Sequence, residues 1–247
     1  MLSKYKVISE LSRGTFGRVY EGIHKRTGEQ VAIKMEKRGE ISSLKHEARI
    51  YHYLKDVDGV PSLKWFGSDE YNSFLILPLL GVSLKKKRLE GSLAEEMLER
   101  MAKCACTILQ NIHSAEIIHG DIKPDNFLLD KDEKKLYLID FGFARAYTSE
   151  PKETNASVGT PNYMSINVHR KYEPKYIDDI ESLLYVFLFM YYGNLPWSEC
   201  GDNTDDIMRR KQQVLHHQDY IPSILKGLFT ITQDTCENRL PNYNLFL

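Results

Sequence analysis

Tryptophan occurs twice, cysteine four times and proline nine times in 247 residues. Cys104, Cys106, Cys200 and Cys236 show neither C-x-x-C spacing nor a companion histidine pattern. A chain of this length needs no disulfide staple to hold a core, so a disulfide scaffold and a cysteine-based zinc site are both excluded. Buried or free thiols of a reducing compartment are the expectation. Charge of one sign is also missing: 33 basic and 34 acidic residues give a net charge of -1. No global field draws the protein to nucleic acid or membrane, and any affinity for phosphate must be local. The longest apolar run, 183–192, falls far short of a bilayer span. The start, MLSKYKVISE, lacks the basic and then apolar regions of a secretory signal. A soluble, monomeric protein of the cytoplasm, the nucleus or both is expected, with neither nucleic acid nor membrane as partner.

What is present is an ordinary globular composition, 42% hydrophobic and 27% charged, enough for one large or two modest domains. From Tyr5 to about Lys37 the alternation around Val19, Glu21 and Ile23, the turn at Thr27-Gly28 and the run VAIKM predict three antiparallel strands. Over Ser42 to Leu54 the period changes. Glu47, Ile50, Tyr51 and Leu54 fall at i, i+3, i+4 and i+7, one face of a helix. SFLILPLL (73–80) reads as an apolar strand, and Gly81 as a reversal or hinge. That divides the chain into 1–80 and 81–247. The second half opens with a helix around Leu93 to Ser114, whose apolar positions Leu93, Met97, Met101, Ala105, Ile108 and Ile112 keep helical spacing. The strand KLYLID follows, then a helix through 183–192 with Asp178 and Asp179 at its N-terminus. A last helix spans about Thr204 to His217. The expected class is α+β.

Four features carry chemistry. LSRGTFGRVY (11–20) sets Ser12, Gly14, Phe16 and Gly17 as S-x-G-x-F-G between two strands, where glycine lets backbone amides approach a phosphate and an aromatic covers the tip. Alone, this is as well explained by a hairpin turn. Lys34 ends an otherwise buried strand; alone, it reads equally as a snorkelling surface lysine. Glu47 shares a helix face with apolar residues, and an inward carboxylate needs a cation or donors. Lys34, 13 residues earlier, is the obvious partner. IIHGDIKPDNF (117–127) and Asp140-Phe141-Gly142 complete the set. Asn126 and Asp140 offer two hard oxygens of the kind Mg²⁺ takes beside phosphate oxygens and water, and Asp121 is left free to accept a proton.

In the order S-x-G-x-F-G, VAIK, Glu47, H-x-D-x-K-P-x-N and D-F-G these features match the protein-kinase signature set. The sequence resembles a protein kinase and, more narrowly, the casein kinase I family, through LLGVSL (79–84), HGDIKPDNFLL (119–129), GTPNYMSIN (159–167), DDIESLLYV (178–186) and LPW (195–197). The resemblance runs from about Tyr5 to about Trp197. It implies a bilobal fold, with a small sheet-rich N-lobe bearing one main helix and a larger helical C-lobe. It implies ATP and Mg²⁺ as cofactors and serine/threonine protein kinase activity. On that resemblance Lys34 would hold the α and β phosphates and pair with Glu47, while Asn126 and Asp140 would hold the metal. Asp121 would take the proton of the substrate hydroxyl, Lys123 would meet the transferring group, and Thr160 would fix both. Adenine would lie between Val19 and Ala32 above and Leu128 below, with the backbone of Pro78 and Leu80 at its edge and Leu77 behind.

Departures from that pattern carry expectations of their own. Gly120 stands where most kinases have an arginine that receives an activation-loop phosphate, so activity without such phosphorylation is expected, with a looser backbone beside Asp121. Ser12 replaces the first loop glycine, acceptable where no positive φ is needed. Protein substrates, acidic or already phosphorylated, are the family's partners, but Asn162 replaces the arginine near which casein kinase I enzymes read such phosphates. Arg209, Arg210 and Lys211 form either an anion site or a solvated helix face; Lys85 to Arg88 form either an import signal or exposed lysines after a turn. The chain ends at PNYNLFL without a long regulatory tail, and tail autoinhibition is not expected. The alternative function is a pseudokinase or nucleotide-binding scaffold that regulates a partner.

Overall fold

The computed structural model describes residues 4–14, 17–38, 43–148, 153–154, 159–201, 203–233 and 239–247. Phe16, the predicted helix start Ser42, and Cys236 lie outside them. Strands β1 (Tyr5–Gly14), β2 (Gly17–His24) and β3 (Gln30–Lys37) form where alternation predicted them, followed by helix α1 (Ser43–Tyr53), β4 (Trp65–Ser68) and β5 (Asn72–Pro78). All pairings in this sheet are antiparallel, in the order β1-β2-β3-β5-β4.

Alternation along a strand sends successive side chains to opposite faces. Val31, Ile33, Phe74 and Ile76 gather on one face as a small separate core, with Tyr20 and Trp65 against them. Ala32 and Lys34 therefore belong to the other face. There they lie opposite Leu77 and Leu75 in the register, and those two leucines join α1 in the main core. That parity is what turns Lys34 inward.

The C-terminal part is mostly helical: α2 (Leu84–Glu90), α3 (Glu95–Ser114), α4 (Ile166–His169), α5 (Tyr176–Tyr192), α6 (Thr204–His216) and α7 (Lys226–Thr232), with the short ladders β6 (Ile117–Ile118) with β9 (Arg145–Ala146) and β7 (Phe127–Leu129) with β8 (Leu136–Leu138). Helix α5 is buried along almost its whole length from Tyr176 to Met190. A helix apolar on all sides has to be surrounded by protein, and α3 and α7 both pack on it.

Four expectations are corrected. The second half opens with α2 rather than α3: Ser83 caps it by accepting from Lys86 N, and Lys85 and Lys87 pair with Asp125 and Glu133. Lys85 and Lys86 remain exposed, as lysines after a turn should be. The sheet gains β4 at its edge. Helix α7 follows α6, so the latter is not the last. Met97, placed on the apolar face of α3, is 36% exposed. Cys104, Cys106 and Cys200 are free thiols, and burial pushes Cys106 up to about 12. No helix among the described residues is long and apolar enough to cross a membrane.

Candidate active site

Three elements meet at Lys34. Its Nζ donates to Glu47 Oε2 of α1 at 2.8 Å and to Asp140 Oδ1 at 2.7 Å. Glu47 is 1% exposed, so the carboxylate that the helix periodicity turned inward has its cation. Burial opposes the Lys34 charge, yet Glu47 and Asp140 together hold its pKa above the ordinary lysine value. For Glu47 burial prevails over the pull of Lys34, and the second carboxylate adds to it, raising its pKa to about 7. Burial also works against the Asp140 charge, but Lys34 outweighs it and holds that carboxyl below its usual range. Asp140 has φ +67°, a left-handed conformation rare outside glycine and typical of functional sites. Its N–H donates to Tyr51 Oη at 3.1 Å. Helix α1 is tied to the same segment by His46, whose Nε2 lies 2.6 Å from the Ala144 carbonyl.

The loop after β6 supplies the second group. Asp121 is buried, and both its carboxylate oxygens are engaged: Oδ1 accepts from Thr160 Oγ1 at 2.9 Å, and Oδ2 accepts from Lys123. Lys123 also reaches Thr160 Oγ1 at 3.3 Å. Asn126 Nδ2 donates to the Asp121 carbonyl at 2.9 Å, and the planar amide turns its Oδ1 to the opposite side. In the β7–β8 ladder Phe127 pairs with Leu138, and Ile139 N donates to Asn126 O at 2.9 Å. The ladder thereby sets Asn126 beside the residue before Asp140, so 14 residues of sequence separation become adjacency.

A cleft of about 410 Å³ lies between the sheet and this loop. Ser12, Val19, Ala32, Leu77, Pro78, Leu80 and Leu128 all line it. Leu11 and Ile139 line it too, and sequence reasoning missed both, although each is the apolar neighbour of a residue already singled out. Ser12 pairs with Val19 in the sheet and is not among the described residues of positive φ. Gly17 has φ +136°, and a Cβ there would stand 2.2 Å from Met35 O, so that position accepts glycine alone. Gly14 and Gly17 face each other across the hairpin. A second cavity, of about 500 Å³ behind α3 and lined by Asp58, Arg100, Cys104 and Lys135 among others, contains none of the predicted catalytic or cofactor-binding residues.

The donor set fits a phosphate-bound Mg²⁺ ion. Asn126 and Asp140 present one amide oxygen and one carboxylate, and Mg²⁺ takes few protein ligands when phosphates and water supply the rest. Among the described residues no three His, Cys, Asp or Glu side chains gather into a cage.

Two corrections concern residues outside the cleft. Asp178 caps α5 as expected, accepting from Lys175 N at 2.6 Å. Asp179 does something else: its carboxylate accepts the backbone N–H groups of His119 at 2.7 Å and Gly120 at 2.9 Å. Gly120 is therefore tethered, not loose. Its φ of +77° explains the glycine instead. The cluster at 209–211 divides: Arg209 and Arg210 are exposed, as a solvated helix face requires, whereas Lys211 is not. Arg209 pairs with Asp206, Arg210 donates to Pro196 O, and Lys211 is fully buried.

Residues 5–237 match the family model described as protein kinase domain. The fold is similar to that of a solved structure described as vaccinia related kinase 3, with a TM-score of 0.85 and 23% sequence identity over 98% of this chain and 84% of that one.

Proposed function

Because the chain belongs to the protein kinase domain family and has its two-part fold, we propose that this phosphotransferase is a serine/threonine kinase of the casein kinase I type. It moves the γ-phosphoryl group of ATP to serine or threonine hydroxyls of proteins. The observation that carries the reading is the single ammonium of Lys34 bridging Glu47 and Asp140, residues that come from a strand, a helix and a loop.

In this reading the apolar lining from Val19 to Leu128 sandwiches the adenine, and Lys34 steers the α and β phosphates. Asn126 and Asp140 hold Mg²⁺, which when bound neutralises charge on the phosphate oxygens. Asp121 orients the acceptor hydroxyl and takes its proton; Thr160 and Lys123, already bonded to it, keep its carboxylate in one rotamer. Lys123 also stabilises charge developing on the transferring group. Gly120 leaves no arginine to receive an activation-loop phosphate, and the Asp179 tether does its positioning without one. Activity is thus independent of activation-loop phosphorylation.

The test is transfer of labelled γ-phosphate to casein, with phosphoamino-acid analysis of the product and Asp121→Asn as control. Signal on serine or threonine from the wild type alone supports the reading, whereas equal signal from both proteins removes it.

A further inference from the structure

Lys211 of α6 has no solvent exposure, and lysine is almost never buried so fully unless its charge is met. An ammonium has three protons. Three acceptors receive them: the carbonyl of Pro161 at 2.8 Å, the carbonyl of Met164 at 2.7 Å and Nε2 of His169 at 3.1 Å. Burial pulls the Lys211 ammonium below its ordinary value, with the Glu181 charge opposing, and burial together with the Lys211 charge holds His169 down at about 4, a neutral imidazole able to accept. The rings of Tyr185 and Trp197 lie 4.8 and 5.4 Å from Nζ, within reach of a cation–π attraction.

Both carbonyls belong to the turn that starts at Thr160, the residue whose hydroxyl donates to Asp121. The same turn is pinned at Asn162 O by Trp197 Nε1 at 2.8 Å, and just beyond it Ile166 N donates to Glu181 at 2.8 Å. An apolar side chain of similar length would fill the space without the penalty of burying a charge. It would also leave two carbonyls of the turn unpaired. A lysine is what this backbone requires.

We infer that Lys211 is a positioning residue for phosphoryl transfer: from below it clamps the 160–164 turn, holds Thr160 against Asp121, and makes the turn a preformed platform for the substrate's acceptor segment. The inference rests on the kinase reading above, and it gives α6 an internal role in place of anion capture.

The variants are Lys211→Met, Lys211→Arg and Arg209→Met, the last removing an exposed neighbour on the same helix. Lys211→Met is expected to lower kcat/KM for a peptide substrate about ten- to hundred-fold, mainly through the peptide KM, with ATP affinity within about two-fold of wild type. Lys211→Arg recovers part of the loss, and Arg209→Met behaves as wild type. Hydrogen exchange is read in parallel at the Tyr163 and Met164 amides, which bond back to Thr160 O, and is expected to quicken in Lys211→Met. It needs no activity. A wild type without transferase activity would refute the proposed function while exchange still judges the clamp. Unchanged exchange in Lys211→Met, ATP affinity falling in step with peptide turnover, or an equal loss in Arg209→Met would each overturn the inference.

Discussion

Asp179 and Gly120, 59 residues apart, are joined by a hydrogen bond of 2.9 Å from the glycine N–H to Oδ1. The other oxygen takes the His119 N–H and the Nε2–H of His113, and Tyr243 Oη is hydrogen-bonded to Nδ1 on the far side of that ring. The loop that carries Asp121 is thus suspended from α5. Burial alone would raise the Asp179 carboxyl, but His113 and the bonded amides hold it below its ordinary range. A depressed carboxyl stabilises the fold above its unfolded value, and that contribution is lost as pH falls through the folded one.

Asp179→Asn should therefore be severe. An amide presents N–H toward at least one backbone donor, and breaking a buried charged contact costs about 3 kcal/mol. Urea unfolding at neutral pH should show that loss, and the wild type should lose its advantage over the variant in acid. Curves that overlay at neutral pH would disprove the tether's importance.

Much of this site is legible in the sequence because its side chains are chemically improbable where they stand. An inward Glu47 and an inward Lys34 each demand a partner, and strand parity with helix period places both. Asp179 is less legible: a carboxylate in the first turn of a helix satisfies that helix's own amides in most cases, as Asp178 does here. Only tertiary placement brings its neighbour to Gly120. Helix α7, KGLFTIT, contains glycine and β-branched residues of low helix propensity, and it forms because Leu228, Phe229 and Ile231 bury, each worth about 1.5–3 kcal/mol. Strand β4 is four residues at a sheet edge, too short for an alternation to register.

The raised Glu47 carboxyl has the opposite pH signature. Its folded value, about 7, exceeds the unfolded one, so its contribution to stability is full below about 4.3 and declines as pH rises toward 7. Without nucleotide, the melting temperature of the wild type should fall relative to Glu47→Gln across that window. Parallel profiles would show that Glu47 titrates normally.

Lys34→Met removes the ammonium shared by two carboxylates. Loss of the charged donor that steers the α and β phosphates should lower kcat about 10²–10³-fold, the scale for losing one preorganised donor, in a steady-state assay. The variant should still fold, because Glu47 can take up a proton. Retained turnover would place phosphate steering elsewhere.

At Gly120 any side chain meets a left-handed backbone, φ +77°, and a Cβ lies 3.2 Å from Phe143 O. Gly120→Ala should cost about 1–2 kcal/mol of stability, measured by urea unfolding. Treating the wild type with phosphatase, by contrast, should leave turnover intact. Activity that vanishes on dephosphorylation would mean that the tether to Asp179 is not sufficient.

Substrate choice follows from where the cations beside the platform already point. Asn162 takes the place of the arginine expected there by family resemblance, and its carbonyl is held by Trp197. Arg209 pairs with Asp206 at 2.7 Å, Arg210 donates to the Pro196 carbonyl at 2.9 Å, and Lys211 faces inward. A phosphate docking at this corner would have to displace an existing partner, which erodes the gain from binding it. In a paired peptide library, a phosphate placed upstream of the acceptor should change kcat/KM by less than about three-fold. The same insensitivity should persist at low ionic strength, where exposed charges act over their longest range. A preference of about a hundred-fold for the phosphorylated peptide would show that Arg209 and Arg210 leave their partners to receive it.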